Sequence, residues 1–389
     1  MQKILLFIAS LFYFNSLFAK DEIKSWQGIH ETPLSRLEQQ FADPPVEFAN
    51  HVIWGWEGKM DKKTICNDLD SIKKKGFRAI IFEAGYKLPF KYLSEEWFKA
   101  IRTGVLEAKK RGMKVWIIDE GKYPSGFAGG KFSQERPDLR MQALVIGDTI
   151  QIKRGEVMTN HKIAPEIISA VAVSTSGAPN RTVAINNGEI SFNAGLDDWK
   201  ILLVKSDFRT AVTRAVNNPN GGKDATNSLC DYLNPVAVQQ FIDWTHEQYK
   251  KYLGKELGTT VLGFRGDEPD YAHLPWTPSI VQTFKDTKGY DPTPYLASFF
   301  TTSPTIQEQR VKADYWDVWS SLFATHFFKL QADWCAANGV AHITHLNKEH
   351  EMPACVKAEG DYFRNLSKVQ IPGVDAIWNQ IWPGTLNDF

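Results

Sequence analysis

Short apolar runs alternate with amphipathic helical patterns along the first part of the chain. Three runs predict β-strands: HVIWGW (51–56), FRAIIFEAG (77–85) and MKVWIIDEG (113–121). The stretches between them have helical periodicity: KKTICNDLDSIKKKG (62–76) and SEEWFKAIRTGVLEAKKRG (94–112). Ser94 is the predicted N-cap of the second helix. Repeated βα units of this kind indicate a parallel sheet, of the barrel or the doubly wound class.

The pattern changes between Met141 and Asn227. Here apolar and polar residues alternate with a period of two, in TIQIKRGE, ISAVAVST, TVAINNGEISF and KILLVKSD. This period is typical of antiparallel strands with one buried face. Asn187-Gly188 is a strong signal for a two-residue hairpin. We therefore predict a small antiparallel β insertion after the third strand.

The βα rhythm then resumes. Helices are predicted at 234–254 and 311–338, and strands in TTVLGFRGDEPD (259–270), VAHITHLNKEH (340–350) and VDAIWNQIW (374–382). An eight-stranded barrel needs two strands more than the six found. Either the sheet is open, or the barrel is truncated. The predicted organisation is a signal peptide, strands 1–3, the β insertion and strands 4–6, at residues 1–19, 20–140, 141–227 and 228–389.

The amino terminus has the layout of a secretory signal peptide. Lys3 precedes an apolar stretch from Ile4 to Phe14, and Ala19 offers a small residue for cleavage. A membrane anchor is the alternative, but the run is short for a span. We expect the mature chain to be exported, to the periplasm or beyond, with no membrane span after cleavage.

Composition narrows the function classes only slightly. Lys and Arg number 45 and Asp and Glu also number 45, so the balance does not favour nucleic acid as a partner. The cysteines Cys66, Cys230, Cys335 and Cys355 lack C-x-x-C pairing and do not make a zinc site. Export permits disulfides, yet Cys66 and Cys335 lie at helix-like apolar positions, which favours buried free thiols.

Candidate site residues lie where the predicted strands end, since chemistry in parallel α/β folds gathers at the carboxyl ends of strands. Each of five strands delivers polar or aromatic groups to that rim: Trp54 and Trp56, then Glu83, then Asp119 and Glu120, then Asp267, Glu268 and Asp270, and finally His345 and Asn347. Any one of these carboxylates could be a solvated loop residue. Their repetition on successive strands favours a site.

Carboxylates beside tryptophans suit glycoside hydrolysis, in which one acid protonates the leaving oxygen and a second carboxylate activates water or attacks the sugar. GDEPDY offers the sharpest candidate. Pro269 disfavours a helical conformation at Glu268, and Asp267 and Asp270 would favour the protonated form of this acid. The alternative is that Pro269 and Asp270 start the next helix.

The stretch DEGKYPSGFAGG (119–130) is a different kind of loop. It lacks the G-x-G-x-x-G order and any Lys-Ser or Lys-Thr pair, so a nucleotide loop is disfavoured. Its glycines would let the backbone turn sharply beneath a ligand. Asp119 and Glu120 would then face the pocket, with Tyr123 as a wall.

Metal binding stays open at this stage. His345 and His350 are five residues apart rather than in H-E-x-x-H spacing, which disfavours a zincin. Clustered Asp, Glu and Asn oxygens could hold calcium instead. The metal ligands are unknown.

Several blocks resemble, in order, those of the glycoside hydrolase family 106 α-L-rhamnosidases: FADPPVEFANHVIWGWEG, YLSEEWFKAIRTGVLEAKKRGMKVWIIDEGKYPSGFAGG, GFRGDEPDY and GDYFRNLSKVQIPGVDAIW. The resemblance implies a TIM-type (β/α)8 barrel, inverting hydrolysis of a terminal rhamnose-like sugar, and a calcium ion near the sugar hydroxyls. By motif it implies that Glu268 is the general acid and that Glu120, Tyr123 and His345 contact the sugar. Family members continue beyond the sixth strand, so the second catalytic carboxylate is expected from that portion.

The sequence thus predicts an exported glycosidase that acts on oligo- or polysaccharides, with a barrel truncated after about six strands. The catalytic residues would be Glu268, Asp267 and Glu120, and the other rim residues would bind substrate. The alternatives are a non-catalytic carbohydrate-binding protein and an inactive fragment of such an enzyme.

Overall fold

A computed structural model of the protein describes residues 33–121, 123–209, 213–214, 223–224, 228–271 and 274–375. The predicted signal peptide and most of the stretch 374–382 lie outside these residues. The strands are β1 (His51–Trp56), β2 (Ala79–Ala84), β3 (Lys114–Ile118), β4 (Gln142–Ile152), β5 (Val157–Lys162), β6 (Ile167–Ser174), β7 (Arg181–Thr182), β8 (Ile185–Asn186), β9 (Glu189–Asn193), β10 (Trp199–Phe208), β11 (Thr213–Arg214), β12 (Lys223–Asp224), β13 (Val261–Arg265), β14 (Pro275–Trp276), β15 (Ala341–Thr344) and β16 (Ile371–Pro372).

The described helices follow the amphipathic segments. They are α1 (Leu34–Ala42), α2 (Lys62–Lys74), α3 (Glu95–Lys110), α4 (Lys131–Glu135), α5 (Pro235–Trp244), α6 (His246–Leu253), α7 (Ile280–Lys288), α8 (Ile306–Leu322), α9 (Lys329–Ala337), α10 (Met352–Glu359) and α11 (Tyr362–Leu366). Ser94 caps α3 as predicted, because its hydroxyl accepts a hydrogen bond from the Trp97 amide.

Both long helices of the carboxyl-terminal half differ from the prediction. The helix expected over 234–254 breaks at Thr245, whose hydroxyl donates to the Phe241 carbonyl at 2.7 Å. The helix expected from Val311 begins earlier, at a capping box formed by Thr305 and Glu308. It then passes through a π-helical segment, Phe323–Phe328, before α9.

The central element is a six-stranded parallel sheet in the order β1-β2-β3-β13-β15-β16. It curls, so that one face is concave and the other packs on helices. The sixth strand is Ile371–Pro372 rather than the predicted 374–382, and Val374 and Asp375 follow it as coil. The mixed α/β class with a parallel sheet is therefore confirmed.

Strand alternation gives the two faces of this sheet different contents. The concave face carries a small apolar cluster of Ile81, Trp116, Ile118, Leu262 and Ala341. The convex face contributes to a larger core with α2, α3 and α6, which includes Trp54, Trp56, Phe82, Ile117 and Phe264. Because successive side chains of a strand point to opposite faces, this alternation decides whether a side chain at the carboxyl end of a strand lies on the concave or the convex side.

The antiparallel region forms a second sheet, in the order β14-β4-β10-β6-β7. One face packs on the helical core through Leu202 and Val204, and the other covers the three-stranded sheet β5-β9-β8 through Ile201. The predicted hairpin is present, with Asn187 and Gly188 both at positive φ between β8 and β9.

The thiols of Cys230, Cys335 and Cys355 are buried, whereas Cys66 is only half-buried, in contrast to its predicted position. No helix in the part of the chain that the structure describes is both long enough and apolar enough to cross a bilayer.

Candidate active site

Glu268 lies in the loop that follows β13, at the carboxyl end of the sheet. Its side chain is 22% exposed, and its φ of +40° is in the region that favours glycine. Pro269 follows it, and residues 266–271 form a loop rather than the start of a helix. A non-glycine residue in a left-handed conformation costs of order 1 kcal/mol and is frequent at functional sites.

His345 is the group around which the site carboxylates gather. The ring continues the concave face of β15, and its side chain is 5% exposed. Its Nε2 lies 3.5 Å from Glu268 Oε1, 3.6 Å from Asp267 Oδ1 and 3.7 Å from Asp375 Oδ2. Arg265, the last residue of β13, faces the other ring nitrogen and also pairs with Asp267 at 3.2 Å.

Asp119 is connected to the Glu268 loop through Ser125. The Ser125 hydroxyl donates to Asp119 Oδ1 at 2.7 Å and accepts from the Asp267 amide at 2.7 Å. The Ser125 amide donates to the Asp267 carbonyl at 2.9 Å. Burial raises the pKa of Asp119 to about 7. Asp119 therefore supports the loop that carries Glu268 from beneath.

Glu120 is placed inside its own loop rather than in the open pocket. It accepts hydrogen bonds from the amides of Gly121, Ala128 and Gly129 at 2.6, 2.5 and 3.1 Å. Ala128, Gly129 and Gly130 are all at positive φ, which turns successive amides toward one point and forms an anion-binding nest. Burial raises the pKa of Glu120 to about 8, while these amide bonds oppose the shift. The carboxyl group of Glu120 holds the loop together through these three hydrogen bonds.

The glycines of this loop serve packing. A Cβ on Gly126, whose φ is +97°, would lie 2.5 Å from the Tyr232 ring. Tyr232 in turn donates from its hydroxyl to the Ser125 carbonyl at 2.5 Å. We expected the glycines to let the backbone turn sharply beneath a ligand. In the structure the turn at Gly126 packs against the Tyr232 ring instead.

Tyr123, Asp270 and Asn347 are brought together. The Asn347 side-chain amide donates to Tyr123 Oη at 2.9 Å and to Asp270 Oδ2 at 3.2 Å. The Asn347 backbone amide donates to Glu359 Oε1 at 3.0 Å. Glu359 is fully buried at the end of α10, and burial, followed by Asp270 and Glu268, raises its pKa well above the ordinary value.

Trp54 and Trp56 lie in the core and not in the site. They alternate onto the convex face of β1, where both rings pack on Phe82 and Trp56 also packs on Trp97. The strand period is the physical reason, because the concave positions of β1 are Ile53 and Gly55. Glu83 does lie on the concave face, opposite Gly55, but on β2, two strands from β13.

Sequence reasoning missed Arg265, Ser125, Glu359 and Asp375. Arg265 immediately precedes the motif that contains Glu268, so its place at the strand end was a usable signal. Glu359 lies at the end of α10 and Asp375 lies in a loop, and no local sequence pattern indicates that either residue belongs to the site.

The cluster of Glu268, His345 and Asp375 has ligand atoms within 4.8 Å of one another. Calcium takes six to eight oxygen ligands, and this group offers two carboxylates and one nitrogen. These three residues do not fit a calcium site by themselves. The calcium implied by the resemblance stays a prediction.

Comparisons with known proteins give a matching family model and proteins that are similar to this chain. The family model of glycoside hydrolase family 106, described as α-L-rhamnosidase, matches residues 158–384. A curated protein of Formosa agariphila, whose name proposes β-glucuronidase activity, is 23% identical over 363 residues, which cover 79% of this chain and 30% of that protein.

A solved structure of a rhamnosidase from Novosphingobium sp. PP1Y has a similar fold, with a TM-score of 0.61 and 15% identity over 86% of this chain and 49% of that one. The chain thus spans less than half the length of either relative. The family match covers more than half of the chain and includes Glu268, His345 and Asp375. The chain belongs to glycoside hydrolase family 106.

Proposed function

We propose that the chain is an α-L-rhamnosidase with Glu268 as its general acid, which hydrolyses terminal rhamnose-like sugars of oligo- or polysaccharides. The observation that carries this is the position of Glu268. It is a partly exposed carboxylic acid at the carboxyl end of β13, held at positive φ beside His345. In this role Glu268 protonates the glycosidic oxygen as the bond to the sugar breaks.

Asp375 lies too close to Glu268 to be the second carboxylate of an inverting reaction. An inverting pair is separated by about 6.5 to 9.5 Å, which leaves room for the attacking water. The ligand atoms of Asp375 and Glu268 lie within 4.8 Å of each other, with His345 beside both. Inversion, as the resemblance implies, therefore requires a base farther from Glu268.

The charges around Glu268 support a neutral sugar. Asp267, Asp270 and Asp375 lie close enough to interact with Glu268 or His345, and the only cation besides Arg265 among the described groups that act on them is Lys348, near Asp270. Arg265 is already paired with Asp267. A uronate would bring a further negative charge into this group, whereas a rhamnoside would not. We therefore favour rhamnoside over glucuronide as the substrate class.

We further propose that the six parallel strands belong to a TIM-type (β/α)8 barrel and that the chain is exported to the periplasm or beyond. The strand order and curl support the first proposal. The amino-terminal pattern supports the second, which amino-terminal sequencing of the exported protein would test. The calcium ion is part of the proposal on the resemblance alone, and the role of Glu268 as general acid does not require it.

The test is hydrolysis of 4-nitrophenyl α-L-rhamnoside by the purified protein, compared with 4-nitrophenyl β-D-glucuronide. We expect release of nitrophenol from the rhamnoside. Hydrolysis of an alkyl rhamnoside, whose leaving oxygen must be protonated, should be lost in Glu268→Gln with an unchanged circular-dichroism spectrum. Preferential hydrolysis of the glucuronide would overturn the charge argument. Rhamnose binding without turnover, in a folded protein, would favour the carbohydrate-binding alternative.

A further inference from the structure

The imidazole of His345 lies between a cation on one side and carboxylates on the other. Its Nδ1 is 3.4 Å from Arg265 Nη2, and its Nε2 faces oxygens of Asp267, Glu268 and Asp375 at 3.5 to 3.7 Å. The Nε2 atom is buried and has no hydrogen-bond partner among the described residues. The neighbours of His345 therefore orient its ring toward the site, and they leave Nε2 available for a hydrogen bond.

The chemistry of the guanidinium decides which ring nitrogen carries the proton. Arginine has five N–H donors and no acceptor, so it can only donate to Nδ1. A neutral imidazole carries one proton, and with Nδ1 as the acceptor that proton is on Nε2. The acidic oxygens on the other side favour the same arrangement, because they accept and cannot donate when ionised.

We propose that Arg265 is a positioning residue that fixes His345 in the Nε2–H tautomer, so that the ring presents a proton to Glu268. This rests on the proposed function of Glu268 as the general acid. After Glu268 has given its proton to the leaving oxygen, it is a carboxylate. A donor already aimed at it then forms a charge-assisted hydrogen bond once the present gap of 3.5 Å closes.

The same tautomer bears on metal binding. An Nε2 that carries a proton has no lone pair for an ion, and moving the proton to Nδ1 would set two N–H groups against each other at Arg265. The cluster of Glu268, His345 and Asp375 then consists of one donor, Nε2–H, facing two carboxyl groups at 3.5 and 3.7 Å, rather than of three metal ligands.

The chain supplies an internal reference for the opposite tautomer. His326 Nδ1 lies 2.6 Å from the Leu233 carbonyl oxygen, which can only accept. His326 must therefore carry its proton on Nδ1. One spectrum of the protein should contain both patterns, one from each ring.

The test is long-range ¹H–¹⁵N correlation of the histidine rings at about pH 8, where imidazole is ordinarily neutral. The His345 signals are assigned by their loss in His345→Gln. We expect the Nε2–H pattern for His345 and the Nδ1–H pattern for His326. An Nδ1–H pattern at His345 would overturn the proposal, whatever the protein hydrolyses.

Two variants separate positioning from a merely structural ion pair with Asp267. Arg265→Met removes the donor, and we expect the His345 signals to become a mixture of tautomers while His326 is unchanged. Arg265→Gln retains an amide donor and should restore the wild-type pattern. Unchanged His345 signals in a folded Arg265→Met protein would refute the role of Arg265.

Kinetics supply the link to catalysis. For a protein active on the rhamnoside, Arg265→Met should lower kcat by about tenfold, the value of one charge-assisted hydrogen bond, with little change in KM. An inactive wild type with the expected tautomer would refute the proposed function and leave the tautomer assignment standing. A wild-type kcat in Arg265→Met would refute the catalytic part of the inference.

Discussion

Two loops of this protein start from neighbouring parallel strands and carry the same Asp-Glu pair, but the glutamate has a different environment in each loop. The loop after β3 begins with Asp119-Glu120, and the loop after β13 contains Asp267-Glu268. In the first loop three backbone amides bind Glu120. In the second, Glu268 stays partly exposed beside His345. An acid at a strand end is therefore available for chemistry only where its own loop does not supply the donors.

The largest expected effect is on hydrolysis in the second loop. Glu268→Gln removes the proton that an alkoxide leaving group needs, and we expect kcat on an alkyl rhamnoside to fall by about a hundredfold or more. Because Gln retains the size and shape of the Glu268 side chain, the free energy of unfolding should change by less than about 0.5 kcal/mol. Urea titration of both proteins checks this. A large loss of stability in Glu268→Gln, together with the loss of activity, would contradict the distinction between the two loops.

The converse is expected for the first loop. Glu120→Gln replaces an acceptor oxygen with an NH₂ group that faces buried amides, so the free energy of unfolding should fall by about 2 to 4 kcal/mol. Urea denaturation followed by tryptophan fluorescence measures it. The matched control is Glu135→Gln in exposed α4, which should change stability little. If the Glu120→Gln protein were stable but had lost its activity, Glu120 would be a catalytic residue, as the sequence predicted.

How much of this contrast the sequence contains can be judged from particular residues. The β-strand and helix alternation was readable, and it located Glu268, His345 and Asn347 near one another because parallel strands end at one edge. The burial of Trp54 and Trp56 was not readable, because it depends on which face of β1 packs on helices. The fate of Glu120 depends on three successive residues at positive φ, which only the folded loop reveals.

The connection between the loops gives the next effect. Ser125→Ala removes the hydroxyl shared by Asp119 and the Asp267 amide and leaves both without that partner. We expect a loss of about 1 to 3 kcal/mol in the free energy of unfolding. A lower kcat should accompany it, because Glu268 is adjacent to the freed amide. Ser133→Ala is a control that also removes one hydroxyl that accepts from a backbone amide, in this case that of Ser228. Identical kcat values for the two variants would mean that Ser125 does not position Glu268.

The pH dependence of stability should report on Asp119, at the start of the first loop. Burial raises the pKa of Asp119 to about 7, above its unfolded value, so the folded state binds more protons than the unfolded state between about pH 4 and 7. Its contribution to stability is present at low pH and falls by up to about 1.4 kcal/mol per pH unit across that window. Asp119→Asn should flatten the profile measured by urea unfolding. An unchanged slope would show that Asp119 is ionised throughout.

The smallest effect concerns the backbone of the second loop. Glu268→Gly removes a side chain from a residue at φ +40°, and we expect a gain of about 1 kcal/mol in stability together with loss of hydrolysis. Thermal unfolding compared with wild type measures the gain. A destabilised glycine variant would show that Glu268 contributes packing as well as chemistry.

The hydrogen bonds between Ser125 and Asp267 also set how the site can move. The amide of each residue donates to the other residue, and the Cys230 amide and Tyr232 hydroxyl bind the same segment from the side. A fluctuation that exposes one of these amides must break the others. We therefore expect the two loops to open to solvent as a single cooperative unit, so that hydrogen exchange of the Ser125 and Asp267 amides gives one common free energy of opening.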